Sequence, residues 1–271
     1  MGTLYVVGTP IGNLEDITLR ALRVLREVGL IAAEDTRRTR KLLSHYDIHT
    51  PLTSYFEHNK LAKLDAILAA LGEHDVALVS SAGMPGLSDP GYELIRAAIA
   101  AGVPVVPVPG PSALVSALVV SGLPTDSFVY LGFLPRQAAA RRRLLRSVAS
   151  ERRTLVAFEA PHRLLKALHD VADILGDRPL AVARELTKMH EEVWRGTVGE
   201  AIARFTAHPP RGEFTLVIGG AVEPEQWDEE RVRAEIERLL AEGVSRREAI
   251  ELVAQAAGWP RREVYRVALE T

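Results

Sequence analysis

Short uncharged apolar runs alternate with segments of helical periodicity through the first 120 residues, and few folds are open to a chain patterned this way. Runs at 4–7, 30–33, 76–80 and 103–108 read as buried strands. Between them Leu19, Leu22, Leu25 and Val28 recur at three-residue spacing and mark one apolar helix face. Further helices are predicted over 36–46, 61–71, 92–100 and 112–120. Strands joined by helical crossovers run parallel, so the class is α/β. After Gly122-Leu-Pro-Thr125 the pattern restarts, with strands expected at 128–132, 155–158, 180–183, 193–197 and 214–218 and helices at 137–149, 162–175 and 198–206. The late strands lie close enough in sequence to be antiparallel. Two α/β domains follow, 1–120 and 126–222, with a ligand cleft expected between them. From residue 225 to 271 the chain turns to polar helices, predicted over 229–241, 246–256 and 261–269 and broken by Gly243-Val-Ser245 and Gly258-Trp-Pro260. Ser245 and Glu248 have the spacing of a capping box. This small helical unit is helix-turn-helix-like, but its eight basic and eleven acidic residues give a net −3, which speaks against a simple nucleic-acid grip. Docking or stabilisation and direct nucleic-acid reading both remain open for it.

Composition removes several chemistries. The 271 residues include no cysteine, which excludes disulfides, thiolate metal sites and cysteine nucleophiles. The 29 residues between Arg96 and Asp126 carry no charge, enough in length to span a bilayer, yet Pro104, Pro107, Pro109, Pro111 and Pro124 would break a spanning helix repeatedly. A buried strand, loop and helix fit better. The N-terminus has no basic region before its apolar run and soon meets Glu15 and Asp16, unlike a signal peptide. A cytoplasmic protein without membrane contact is the expectation.

Three Gly- and Pro-rich segments follow predicted strands: Gly8-Thr-Pro-Ile-Gly-Asn13, Ser81-Ala-Gly-Met-Pro-Gly86 and Pro109-Gly-Pro-Ser-Ala113. In an open parallel sheet ligands bind beyond the carboxyl ends of strands, where glycine admits close backbone approach and proline stiffens the loop. Any one such loop is equally an ordinary turn; three converging make a cofactor cleft. No G-x-x-x-x-G-K-[ST] and no G-x-G-x-x-G fingerprint occurs, which disfavours a P-loop and a dinucleotide dehydrogenase. Without a G-x-S-x-G elbow, Ser112 reads as a helix N-cap or a ligand contact. The eight histidines are scattered, no H-E-x-x-H is present, and no metal is expected.

Charge is concentrated in two places. Glu34-Asp-Thr-Arg-Arg-Thr-Arg-Lys41 begins at a strand end, so Arg37, Arg38, Arg40 and Lys41 either meet phosphates or form a solvated helix face, while Asp35 orients a ligand or caps the helix. Between Arg136 and Arg153, seven arginines stand against the single acid Glu151, a local charge of +6 that favours nucleic-acid contact through Arg136, Arg141, Arg142, Arg143 and Arg146. Glu159, His162, Arg184, Glu185 and Lys188 sit at further strand ends, as site residues or as a structural ion-pair network.

The segments Thr9-Pro-Ile-Gly-Asn-Leu-Glu-Asp-Ile-Thr-Leu-Arg-Ala-Leu22, Ala32-Ala-Glu-Asp-Thr-Arg37, Gly86-Leu-Ser-Asp-Pro-Gly91, Pro109-Gly-Pro-Ser-Ala-Leu114, Gly132-Phe-Leu-Pro-Arg136, Pro161-His-Arg163 and Val182-Ala-Arg-Glu-Leu-Thr-Lys188 closely resemble the ribosomal RNA small subunit methyltransferase I family, of the tetrapyrrole methylase superfamily. The resemblance runs from about residue 3 to 220. It implies a two-domain class III methyltransferase fold, S-adenosylmethionine between the domains, a homodimer, and methylation of the ribose 2′-oxygen of a cytidine in the decoding region of 16S ribosomal RNA in the small ribosomal subunit. By position in that fold, Pro10, Ser81, Ala82, Gly83, Gly86, Ser112, Ala113, Glu159 and Leu186 would contact the cofactor. Ser81 and Met84 depart from the pattern, where Asp and Thr are expected. The base that takes the hydroxyl proton is expected to be Asp35, Glu159 or Lys188. Arg37 and Arg38 join the arginine block as RNA contacts. Alternatives are a tetrapyrrole methyltransferase, since the same fold serves cyclic substrates, and a non-catalytic cofactor- or RNA-binding module.

Overall fold

The apolar runs of the N-terminal half form a five-stranded sheet, all parallel, in a computed structural model of the chain that describes residues 1–57, 59–222 and 227–269. Its strands are β1 (Leu4–Val7), β2 (Leu30–Ala33), β3 (Leu52–Ser54), β4 (Val76–Val79) and β5 (Val105–Val108), in the order β3-β2-β4-β1-β5. The central strand β4 is buried along its whole length, which is why it reads as an unbroken apolar run. Pro107 is tolerated because β5 is an edge strand. The other edge, β3, was not predicted: three half-buried residues show neither an apolar run nor alternation.

Helices α1 (Leu19–Glu27) and α2 (Thr36–His45) pack on one face of this sheet, against Val7, Ile31, Ala33, Ala77 and Val79. Helices α3 (Lys60–Glu73) and α4 (Tyr92–Ala100) pack on the other, against Leu4, Ala32, Val76 and Leu78. The chain therefore leaves the neighbouring strands β1 and β4 toward opposite faces. Their carboxyl ends form the crevice at which open α/β sheets bind ligands.

The second sheet contains β6 (Phe128–Phe133), β7 (Thr154–Glu159), β8 (Pro179–Arg184), β9 (Glu192–Thr197) and β10 (Phe214–Ile218), in the order β6-β7-β10-β8-β9. Only β6 and β7 run parallel; the other pairs are antiparallel, as the short late connections suggested. Alternation divides its side chains. Leu155, Ala157, Leu180, Val182, Leu216 and Ile218 meet α6 (Ala138–Ser147), α7 (Pro161–Leu175) and α8 (Val198–Ala207). Val156, Ala181, Ala183 and Val217 face α5 (Ala113–Val119), the helix that follows β5. Through α5 the two sheets belong to one unit, Met1–Gly220.

The unit Ala221–Thr271 consists of α9 (Glu229–Ala241), α10 (Arg246–Ala257) and α11 (Arg261–Leu269) around Val232, Ile236, Ile250, Val253, Val264 and Val267. Ser245 caps α10 by accepting from Glu248 N, and Gly258 ends it in the left-handed conformation. Residues 225 and 226, with which the expected tail begins, and 270 and 271, with which it ends, lie outside the described residues.

One polar element is built into the α6–α7 contact. Asp170, 2% exposed, accepts from Arg141 Nε at 2.7 Å and from Arg142 Nε at 2.5 Å. Burial works against its carboxylate, but the hydrogen bonds from Arg142 and Arg141 outweigh that and hold its pKa below the ordinary range. Replacing Asp170 by Ala leaves the Arg141 guanidinium buried without its counterion and is expected to cost about 3–5 kcal/mol. The double variant Asp170→Leu with Arg141→Met, which removes both charges, should recover most of that loss in denaturant unfolding.

Candidate active site

The three Gly- and Pro-rich loops meet beyond β1, β4 and β5. Thr9 and Gly83 exchange backbone hydrogen bonds, both 2.9 Å, which ties the first loop to the second. Gly8 and Gly110 lie so close that a Cβ on Gly8 would stand 2.8 Å from Gly110 Cα and 2.7 Å from Met84 Sδ. Only glycine allows that approach. Glu34, at the end of β2, accepts from Ser81 N at 2.8 Å and fixes the second loop from its other side.

These loops form one wall of a cavity of about 320 Å³, within the range of small-molecule sites. The opposite wall comes from the second sheet and its loops: Phe133, Phe158, Ala183, Leu186, Glu213 and Thr215. Leu186 is held between Glu185 and Thr187, both at positive φ (50° and 66°), and Thr187 Oγ1 accepts from Asn13 N at 3.1 Å. A β-branched residue in that conformation is strained. The strain sits where the loop after β8 closes against Gly12, whose own Cβ would lie 3.0 Å from Leu186 O.

Of the expected cofactor contacts, Ser81, Ala82, Gly83, Ser112, Ala113, Glu159 and Leu186 line this cavity. Pro10 and Gly86 do not; Gly86 (φ 82°) packs behind it against Gly91. Ser112 fulfils both of its readings, capping α5 through Val115 N at 3.5 Å while lining the cavity. Sequence reasoning missed Ile11, Met84, Leu87, Ser88, Asp89, Phe133 and Phe158 on the wall. Asp89 carried a signal, as an acid inside a Gly- and Pro-flanked loop after a strand.

The expected bases fare differently. Asp35 is the N-cap of α2: its carboxylate accepts from Arg37 N and Arg38 N, the backbone bond to Arg38 does most to lower its pKa, and it is not on the cavity wall. Burial pulls the Lys188 ammonium down, but bonds to Glu185 and Glu213, each 3.0 Å, outweigh it and raise its pKa, so Lys188 is a proton donor. Glu159 falls on the α7 side of its strand with Leu155 and Ala157. Its side chain has no exposed surface and pairs with Arg163 at 2.6 Å. Asp35 and Lys188 lie off the cavity wall with partners of their own, whereas Glu159 lines it, and burial raises its pKa against the opposing pull of Ala160 N and Arg163.

The arginine block is corrected in part. Arg141 is buried against Asp170 and cannot reach RNA, and Arg142 shares that carboxylate while half exposed. Arg136, Arg143 and Arg146 remain exposed without an ion pair among the described residues. On α2, Arg38 reaches the cavity wall, and Arg37, Arg40, Lys41, Ser44 and His45 line a shallow depression on its exposed side.

Among the described residues no cluster of three or more His, Cys, Asp or Glu could hold a metal ion, and no helix is long and apolar enough to cross a membrane. A family model described as Tetrapyrrole (Corrin/Porphyrin) Methylases matches residues 3–202. The chain belongs to the tetrapyrrole methylase family. Within it, the chain is 50% identical over 274 residues to the ribosomal RNA small subunit methyltransferase I of Synechocystis sp., across 100% of this chain and 98% of that protein. The Thermotoga maritima protein of the same name is 54% identical over 221 residues, 81% of this chain and 99% of its own length. Two solved tetrapyrrole methylase structures share the fold: the uroporphyrin-III-C-methyltransferase of Thermus thermophilus (24% identity, TM-score 0.54, 80% of this chain and 94% of that one) and the methyltransferase CobJ (19%, 0.62, 82% and 95%). At these identities the likeness is one of architecture, the two-domain class III methyltransferase fold.

In this family member's cavity, Asp89 is the most perturbed acid. Burial, reinforced by the charge of Glu34 and eased by Ser80, pushes its pKa up from 3.8 to about 7. A carboxyl raised in the folded state contributes stability that is complete below its unfolded value and is lost progressively as pH rises to and through about 7. Between pH 5 and 8 the wild type should therefore lose roughly 1–3 kcal/mol relative to Asp89→Asn. Urea midpoints of the two proteins across that range check this.

Proposed function

We propose that the chain is an S-adenosylmethionine-dependent methyltransferase acting on the ribose 2′-oxygen of a cytidine in the decoding region of 16S ribosomal RNA, as a cytoplasmic homodimer. The observation that carries this reading is the 50% identity, over the full chain, to a relative named ribosomal RNA small subunit methyltransferase I. The proposed domains, 1–120 and 126–222, would each supply one wall of the cavity.

The residues present suit the cofactor. Ile11, Met84, Leu87, Phe133, Phe158 and Leu186 offer apolar surface for an adenosyl group, and the backbone of residues 81–83 with the Ser112 hydroxyl offers polar contacts at few points. When bound, S-adenosylmethionine supplies an electrophilic methyl group on a sulfonium. The chain's own task is then alignment, because in-line displacement depends on how the attacking oxygen is held. The loops locked at Gly8, Gly110 and Gly12 are rigid enough for that, and the aromatic wall excludes water. Removing the hydroxyl proton requires an acceptor within reach.

RNA contact rests on α2 and on the exposed Arg136, Arg143 and Arg146, with Arg37 and Arg38 at the end of α2 nearest the cavity. Arg141 is excluded by its burial. Helix α2 would carry phosphates along Arg37, Arg40 and Lys41 toward Arg38 at the cavity.

Transfer of tritiated methyl from S-adenosylmethionine to assembled 30S subunits, naked 16S RNA and a porphyrinoid tests the reading. Label in the 30S subunit or the RNA, at a cytidine ribose, is expected. Label confined to the porphyrinoid would assign the tetrapyrrole activity, and label in none would leave a binding module. Arg40→Glu with Lys41→Glu should weaken binding to the labelled RNA substrate at least tenfold at low salt, and the slope of log affinity against log salt should flatten by about two. Cofactor affinity should be unchanged.

A further inference from the structure

Four ionisable side chains line the cavity: Arg38, Asp89, Glu159 and Glu213. Three are unsuited to accept a proton from a bound hydroxyl. Arg38 is a permanent cation. The Glu159 side chain has no exposed surface and its Oε1 already holds Arg163 and Ala160 N, although burial raises its pKa and leaves Oε2 without a partner, and Glu213 is 69% exposed and pairs with Lys188 at 3.0 Å. Asp89 is partly buried and meets no cation among the described residues.

We propose that Asp89 is the group that takes the proton from the attacking ribose hydroxyl. This rests on the methyltransferase reading above and adds to it the identity of the base. The loop 86–91 brings Asp89 to the wall formed by Ser81, Met84 and Leu87, on the side where Glu34 holds Ser81 N. The hydroxyl oxygen forms a bond to the methyl carbon as the carbon–sulfur bond breaks, with that electron pair staying on sulfur. The hydroxyl proton passes to the Asp89 carboxylate and from there to water. No other reactant is needed.

The surroundings tune the acid for this. Its titratable and charged neighbours are Glu34 after β2 and Tyr130 on β6, and the other ionisable side chains lining the cavity are Arg38, Glu159 and Glu213. Burial and the Glu34 charge keep Asp89 half protonated near neutrality, where a base combines sufficient ionised fraction with sufficient proton affinity. Tyr130, hydrogen-bonded to Ser88 at 2.6 Å, anchors the neighbouring residue, itself at φ 64°.

The test compares wild type, Asp89→Asn and Glu34→Gln by cofactor affinity in calorimetry and by single-turnover methyl transfer between pH 5.5 and 9. Asp89→Asn should bind S-adenosylmethionine within threefold of wild type yet transfer methyl at least a hundredfold more slowly, with the pH dependence near 7 abolished. Glu34→Gln keeps an acceptor for Ser81 N and should move that pH dependence toward acid without abolishing it. In the protein without cofactor, the Asp89 carboxyl carbon signal should titrate near 7 and vanish in Asp89→Asn. Wild-type rates in Asp89→Asn, an unaltered pH profile in either variant, or loss of cofactor affinity in Asp89→Asn would overturn the assignment, the last marking Asp89 as a cofactor ligand. Absence of methyl transfer by wild type would instead overturn the methyltransferase reading, and this assignment with it.

Discussion

Two neighbouring strands, β1 and β4, send their following helices to opposite faces of the first sheet, and the crevice this leaves at their ends sets the rest of the site. A loop crossing such a crevice must lie close to its neighbours or fill the space it is meant to leave open. Here the solution is backbone against backbone. Gly8 meets Gly110, Thr9 and Gly83 exchange amide hydrogen bonds, and Gly12 lies under Leu186 from the second sheet. The loops are thus held by approaches that leave no room for a Cβ at Gly8, Gly110 and Gly12.

The second sheet completes the cavity because α5 commits one of its faces to the first half of the chain. Strand alternation then decides what each residue can do. Phe158 packs with Val156 on the α5 side and lines the cavity, while Glu159, one residue on, alternates with Leu155 and Ala157 and holds Arg163 of α7 where the strand ends at the cavity. Adjacent positions in sequence thus belong to different layers. The same logic works on α6, where Arg141 shares the inward stripe with Leu145 and turns to Asp170, while Arg143 and Arg146 stay in solvent.

This explains what was legible in the sequence. Elements with a clear apolar run or apolar helix face, such as β2, α4, β10 and α9, were placed to the residue, and the three loops stood out because glycine and proline mark conformation directly. The arginine block was read by counting charge, which carries no information on facing. The spacing of Arg141 to Leu145 and of Asp170 to Val171 and Ala167 on α7 held that information. Strand β3 was lost because edge strands of three half-buried residues have no pattern to detect. Asp89 was overlooked because Leu-Ser-Asp-Pro reads as a turn, and only the folded chain brings Glu34 beside it.

The cavity also shows how three carboxyl groups in one site come to differ. Glu213 is open to water and satisfied by Lys188, so it behaves as a surface ion pair. Glu159 is buried on the cavity lining with Arg163 on its Oε1, which fixes its geometry, while burial still raises its pKa. Asp89 has burial and a like charge nearby without a matching cation, the combination that raises a carboxyl toward neutrality. Environment rather than residue type assigns the roles. A base is useful only where the fold withholds the partner that would neutralise it, and in this cavity that condition is met at Asp89.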